Sequence, residues 1–83
     1  MGLVYTTVST AQEAETLAHI AISEHAAVCV NIIPGGKTLF FWDDTIQQSS
    51  ECYMLFKTTL EKTDQLVQCI IQHHPYDVPA VLK

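Results

Sequence analysis

The sequence contains no arginine, and four lysines face nine acidic residues, which gives a net charge of −5 when the histidines are neutral. A nucleic-acid surface needs clustered lysine and arginine to neutralise phosphates, and an anionic membrane surface attracts the same residues. Without arginine, the usual bidentate clamp for phosphate and carboxylate groups is also absent. We therefore expect neither a nucleic-acid partner nor a membrane partner.

Charged residues of either sign are scarce, at 16% of a chain that is 48% hydrophobic, whereas an ordinary globular protein has about 25%. The 83 residues form one domain, residues 1–83, and a domain of this size buries only roughly 60–65% of its unfolded surface. Small domains usually add disulfides, a metal or a partner subunit. Because so few charges are available to cover the outside, we expect apolar surface to be buried between subunits.

Cysteine pairs and long apolar runs are also missing. The three cysteines are an odd number, and none belongs to a Cys-x-x-Cys motif, so they indicate neither a disulfide framework nor a structural zinc site. We expect free, buried thiols in a reducing compartment. The first residues lack the basic start and apolar run of a signal peptide, and no segment reaches transmembrane length. These features predict a cytoplasmic protein.

The first half of the chain reads as strand, helix and strand. Residues 3–8 are rich in β-branched and aromatic side chains, and Thr10 followed by Glu13 fits a helix capping box. Residues 26–33 are almost continuously apolar, which is typical of a strand covered on both faces or lying against another subunit. Pro34-Gly35-Gly36 is expected to end that strand in a turn. The helix between the strands carries an apolar stripe at helical spacing: Ala14, Leu17, Ala18, Ala21 and Ile22.

In the second half of the chain, a predicted hairpin comes first, and a helix and a last strand follow it. Residues 38–42 form an aromatic strand, Asp43-Asp44 a turn, and residues 50–58 the next strand. Helical spacing returns over residues 59–74, before a last strand over residues 78–82. The order β-α-β-β-α-β predicts an α+β, ferredoxin-like fold, the split βαβ sandwich, with an antiparallel sheet and both helices on one face.

Several short segments match sequence motifs of a known family. They are Val4-Tyr5-Thr6-Thr7, Cys29-Val30-Asn31-Ile32-Ile33-Pro34-Gly35, Trp42, Ser50-Glu51 leading to Phe56-Lys57-Thr58, and His74-Pro75-Tyr76-Asp77-Val78-Pro79. In sequence and in register over essentially the whole chain, they resemble the CutA, or divalent-cation tolerance, family. The resemblance implies a ferredoxin-like subunit of a homotrimer, in which strands pair across subunits. It also implies a general likeness to the P-II signalling trimers and no secure link to catalysis, so we expect no enzyme.

The chain departs from this family pattern at three places. Family members continue past Val78-Pro79 with the rest of a strand, a short strand and a terminal helix, so we expect those parts to be missing here. Asp44 stands where the family has a turn glycine, which is tolerable because Asp visits left-handed conformations more readily than most residues. Thr6 stands where some members carry a metal-associated cysteine, which weakens any transfer of a copper site.

Three residues are candidate metal ligands: His73, His74 and Cys29. The resemblance implies weak binding of Cu(II) or another divalent cation through histidine and cysteine, with no obligatory cofactor, and imidazole nitrogen suits copper. The alternatives without a metal are that a histidine forms hydrogen bonds with the last carbonyls of its helix and that Cys29 is a buried core thiol.

Two functions therefore stay open from the sequence. The first is a trimer for divalent-cation tolerance that binds metal. The second is a P-II-like signalling or adaptor trimer that binds an unidentified ligand or protein at clefts between subunits. No phosphate-binding loop, nucleophile elbow or His-Glu-x-x-His motif is present.

Overall fold

The computed structural model describes all residues, 1–83. The elements are β1 (Gly2–Val8), α1 (Ala11–Ser23), β2 (Cys29–Trp42), β3 (Thr45–Thr58), a short 3-10 turn (Leu60–Lys62), α2 (Thr63–His73) and β4 (Val81–Leu82). The four strands form one sheet in the order β2-β3-β1-β4, and every neighbouring pair is antiparallel. This topology confirms the predicted α+β, ferredoxin-like fold.

The core lies between one face of the sheet and the two helices. Strand residues alternate between the two faces of a sheet, and every second residue of β1 and of the second half of β3 is buried: Val4, Thr6, Val8, Cys52, Met54, Phe56 and Thr58. The helices meet this face with Ala14, Leu17, Ala18, Ala21, Leu66, Cys69 and Ile70. The alanines of α1 let that helix approach the sheet closely. The predicted stripe on α1 is confirmed except for Ile22, which is exposed.

The capping box predicted at the start of α1 is present. The Thr10 hydroxyl accepts a hydrogen bond from the Glu13 backbone N–H at 3.1 Å. In return, the Glu13 carboxylate accepts the Thr10 backbone N–H at 3.2 Å. Two donors that the first helical turn would otherwise leave unpaired are thus satisfied, which typically stabilises a helix by about 1 kcal/mol.

Strand β2 differs from its prediction at both ends. It begins at Cys29 rather than residue 26, and it runs through Pro34-Gly35-Gly36 to Trp42, with only a register shift between Ile33 and Gly36. The strand lies at the sheet edge, where a proline without an N–H and a bulge are tolerated. Gly35 takes the positive φ of 76° that the bulge requires.

The prediction that residues 26–33 are covered on both faces is wrong within one chain. Val28 is 72% exposed and Cys29 is exposed as well, so the buried-thiol expectation for Cys29 is also wrong. Cys29 pairs with Lys57 on the sheet face that the helices leave uncovered, whereas Val30 and Ile32 pack against the core. Contact with another subunit is the alternative that stays open.

Strands β2 and β3 extend beyond the core as a two-stranded arm. We define the arm as residues 37–50, paired from Lys37 opposite Ser50 to Trp42 opposite Thr45. Asp43 and Asp44 form its turn with φ of 54° and 60°, the left-handed pair that tight hairpins favour. No residue of the arm is buried, and the arm lengthens the molecule to 41 × 21 × 21 Å.

The remaining boundaries shift for local reasons. Strand β3 starts at Thr45, before the predicted residue 50, because pairing with β2 overrides the weak strand preference of its polar residues. Helix α2 begins at Thr63 rather than residue 59, after the 3-10 turn, and neither helix is both long and apolar enough to cross a membrane. Strand β4 is reduced to Val81–Leu82, since Pro79 has no N–H to donate to a ladder.

His74 fastens the carboxy-terminal segment to β1. Its Nε2 lies 2.8 Å from the Thr7 carbonyl oxygen and 3.0 Å from the Thr6 hydroxyl, while its Nδ1 accepts the Tyr76 backbone N–H at 3.1 Å. Because a carbonyl can only accept, Nε2 carries the proton, and the buried ring is neutral. Thr6 completes the link by donating to the Ala80 carbonyl at 2.7 Å.

Acidification should loosen this link. Burial lowers the pKa of His74, and the Thr7 carbonyl and the carboxylates of Glu13 and Glu51 offset that effect only in part. Below the ordinary imidazole pKa of about 6.5, the unfolded chain therefore binds more protons than the folded chain, and stability falls as pH falls. We expect the melting temperature to drop from pH 7.5 to 5.5 by more in wild type than in His74→Asn.

The matched control is His19→Asn, which removes an exposed histidine from α1. Its melting temperature should follow the wild-type pH dependence. Parallel curves for wild type and His74→Asn, measured by circular dichroism, would contradict a stabilising neutral His74.

Candidate metal centre

The last turns of α2 and the end of α1 bring three metal-binding side chains together. Cys69 and His73 are four residues apart, which places them on one face of α2. Glu24, the C-cap residue that follows α1, lies near them. One ligand atom from each of these three residues lies within 4.8 Å of the other two.

His73 is already oriented for binding. Its Nδ1 lies 3.0 Å from the Cys69 carbonyl oxygen. Because this oxygen can only accept, Nδ1 carries the proton and Nε2 keeps a free lone pair. Metal-binding histidines usually donate their other N–H to a carbonyl or carboxylate in this way, which fixes the ring and its tautomer.

Cys69 and Glu24 already contact each other. The buried Cys69 thiol donates to the Glu24 carboxylate over 3.5 Å. Burial, followed by the hydrogen bond and the charge of Glu24, raises the pKa of Cys69 to about 11. The free thiol is therefore protonated at neutral pH, and a metal ion that binds sulfur must displace this proton.

The other two predicted ligands lie outside this group. Both ring nitrogens of His74 already hold hydrogen bonds to backbone groups, so a metal ion could use this ring only by breaking one. Cys29 lies at the start of β2, exposed on the uncovered sheet face. Of the three predicted ligands, the group contains His73 alone, and the alternative that a histidine bonds a late helix carbonyl also describes His73.

A second polar cluster lies on the sheet face away from the helices. Glu51 accepts hydrogen bonds from Thr7 at 2.8 Å and from the Tyr76 hydroxyl at 3.0 Å, and Ser9 lies 3.0 Å from the same hydroxyl. Burial raises the pKa of Glu51, but the neighbouring hydroxyl groups of Thr38, Thr7 and Tyr76 outweigh this effect and leave the pKa below its usual value. This cluster therefore presents a fixed negative charge among hydroxyl groups.

Glu24 and Cys69 were not among the residues that the sequence predicted to bind metal. One signal was available, since the Cys-x-x-x-His spacing of Cys69 and His73 is the spacing of one helix face. No local pattern marks Glu24, because its carboxylate reaches the group only when α1 packs against α2.

Comparisons with known proteins agree on one family. The sequence matches the family model described as CutA1 divalent ion tolerance protein over residues 2–83. A "Divalent-cation tolerance protein CutA" of Escherichia coli is 36% identical over 69 residues, which cover 83% of this chain. The matched part is 62% of the length of that relative, so this chain spans less than two thirds of the curated relatives it matches.

Solved structures agree with the sequence matches. CutA1 from Ehrlichia chaffeensis superposes with a TM-score of 0.93 at 31% identity, covering 96% of this chain and 75% of its own. CutA from Synechococcus elongatus superposes with a TM-score of 0.88 at 41% identity, covering 98% of this chain and 73% of its own. A family match over nearly the whole sequence and the same fold at this identity show that the chain belongs to the CutA1 divalent ion tolerance family.

Proposed function

We propose that this protein acts in divalent-cation tolerance as a cytoplasmic homotrimer that binds Cu(II), or another divalent cation, weakly and without catalysis. The observation that carries this proposal is the ring of His73, held through one nitrogen with the other free, beside the sulfur of Cys69 and the carboxylate of Glu24. The relatives are named for cation tolerance and not for a reaction. The three cysteines are free, as the cytoplasm would keep them.

Cu(II) suits the ligand atoms that this group of side chains provides. Imidazole is a good ligand for Cu(II), and copper heads the affinity order of divalent first-row metals at nitrogen and oxygen sites. A net charge of −5 favours the approach of cations. Binding of copper should be weak for two reasons. Thr6 provides no thiol ligand near the end of β1. His74 must also break a hydrogen bond before one of its nitrogens can bind the ion.

Copper binding should depend on His73 first, His74 second and Cys29 least. We expect His73→Ala to weaken Cu(II) binding roughly tenfold or more, since even the loss of a partner outside the ligand shell typically costs about 10–100-fold in affinity. The double variant His73→Ala/His74→Ala should lose binding altogether. Calorimetric titration with Cu(II), together with electron paramagnetic resonance of the bound ion, would measure both.

Cys29→Ser tests the remaining predicted ligand, and His19→Ala removes an exposed histidine from α1 as the matched control. Both should bind copper as wild type does. Unchanged binding in the double histidine variant would refute the copper proposal.

The trimer is supported by apolar surface that one chain cannot cover. On the sheet face away from the helices, Leu3, Tyr5 and Ile33 are all exposed. The arm adds five more exposed apolar side chains: Leu39, Phe40, Phe41, Trp42 and Ile46. An isolated two-stranded ribbon is marginally stable in water, and contiguous apolar patches of this kind mark interfaces.

A stable trimer should therefore dominate in solution. Native mass spectrometry at low micromolar concentration should show three chain masses for wild type. Phe41→Ser/Trp42→Ser removes two aromatic side chains from the arm and should shift the population towards monomer. Leu60→Ser changes an equally exposed residue next to α2 and should leave the trimer intact. A wild-type protein that is mainly monomeric would exclude the trimer.

A second candidate function is a P-II-like signalling or adaptor trimer. The cluster of Glu51, Tyr76, Thr7 and Ser9 favours it, because these hydroxyl and carboxylate groups are linked to one another. They lie on the same sheet face as the apolar surface proposed to join subunits. Such a cleft would suit a small polar ligand that offers hydrogen-bond donors to the carboxylate.

Growth in copper separates the two candidates. In bacteria deprived of their own relative of this protein, the wild-type chain should restore growth at raised copper concentrations, because it binds the ion. His73→Ala/His74→Ala should fail, although it still assembles, and Glu51→Gln should succeed. The reverse result, with tolerance lost in Glu51→Gln alone, would favour the adaptor.

A further inference from the structure

We propose that Glu24, Cys69 and His73 form a site for a thiophilic divalent cation of the zinc class. One carboxylate oxygen, one thiolate sulfur and one imidazole nitrogen would hold the ion, with water as the fourth ligand. This inference deepens the proposed function and rests on it for the kind of ligand, a divalent cation. It adds the donor set, the coordination and the preferred ion.

The spacing of sulfur and oxygen matches a tetrahedral zinc site. Zinc binds sulfur at about 2.3 Å and carboxylate oxygen at about 2.0 Å, and a tetrahedral angle between these bonds separates the two atoms by roughly 3.5 Å. The Cys69 sulfur and Oε1 of Glu24 are 3.5 Å apart. The ion can therefore take the place of the thiol proton without moving either helix.

The imidazole needs only a side-chain adjustment. One of its ring nitrogens lies within 4.8 Å of both other donors, and tetrahedral geometry requires roughly 3.3–3.6 Å between donor atoms by the same bond lengths. His73 is half-buried and Glu24 is exposed, so both side chains have room to close on an ion. The Cys69 carbonyl holds the proton-bearing nitrogen of the ring throughout.

Charge and donor type select the ion. When the ion binds, the S–H bond of Cys69 breaks, the proton leaves to water, and the sulfur lone pair forms the metal–sulfur bond. The thiolate and the Glu24 carboxylate together neutralise the two positive charges, while the imidazole contributes none. Mg²⁺ and Ca²⁺ prefer all-oxygen shells with six or more ligands, so this mixed set of three favours zinc-class ions.

The three side chains differ in burial, and this difference leaves a route by which an ion can enter the site. Cys69 lies at the buried end of the group, His73 is intermediate, and Glu24 is at the surface. An ion can meet the carboxylate first and reach the sulfur afterwards. The same side stays open to water, which supplies the fourth ligand that three protein donors leave vacant.

Cobalt(II) is a suitable probe, because a cobalt–thiolate bond adds an intense near-ultraviolet absorption band. We expect this band in the wild-type protein and its loss in Cys69→Ser. Zinc(II) should displace the cobalt, and competition with a chromophoric chelator would give the zinc affinity. Glu24→Gln and His73→Gln should each weaken zinc binding roughly tenfold or more.

Each variant has a matched control outside the group. Cys52→Ala removes another buried thiol, and Glu15→Gln and His19→Gln change exposed residues of α1. All three should keep the band and the zinc affinity, with folding checked by circular dichroism. Since Glu24 is exposed, Glu24→Gln remains informative even if Cys69→Ser fails to fold. No band in wild type, a band that survives in Cys69→Ser, or unchanged zinc affinity in Glu24→Gln would overturn the site.

The outcome is separable from that of the proposed function. If the cobalt band is absent while copper still binds through His73, this site fails and the proposed function stands. If zinc and cobalt bind as described but cells gain no copper tolerance, the proposed function fails and the site stands.

Discussion

The structure depends on one constraint, which is that two helices cover only one face of a four-stranded sheet. Val4, Met54 and Phe56 point into the resulting core and are fully buried. Their neighbours along the same strands, such as Leu3 and Tyr5, face outwards and remain exposed. Strand alternation makes this division unavoidable, so the core forms on one face of the sheet and the apolar side chains of the other face stay exposed in the single chain.

The sequence predicted the fold well wherever the periodicity was regular. The capping box of Thr10 and Glu13 and the stripe on α1 depend on near neighbours, and the structure has them at the predicted positions except for Ile22. The extent of β2 was not predictable from local pattern, because Pro34-Gly35-Gly36 is typical of a turn. Only the position of this strand at the sheet edge lets it continue.

The candidate site was predictable in part. His73 was among the expected ligands, and its spacing from Cys69 could have extended the set. Glu24 joins them through the packing of two helices, which no local pattern reports. For His74, the sequence identified the imidazole, but it did not reveal the two backbone groups that form hydrogen bonds with its ring nitrogens. Metal binding at His74 and Cys29 stays a prediction.

The adjacent histidines at the end of α2 face different parts of the molecule. His73 points to the helix pair and His74 to strand β1. A single planar peptide bond joins them, with about 3.8 Å between their Cα atoms, yet their rings form hydrogen bonds with different elements. Because each ring turns about its own side-chain bonds, one can change its contacts while the other keeps its own. Two neighbouring positions of the chain thus carry separate roles.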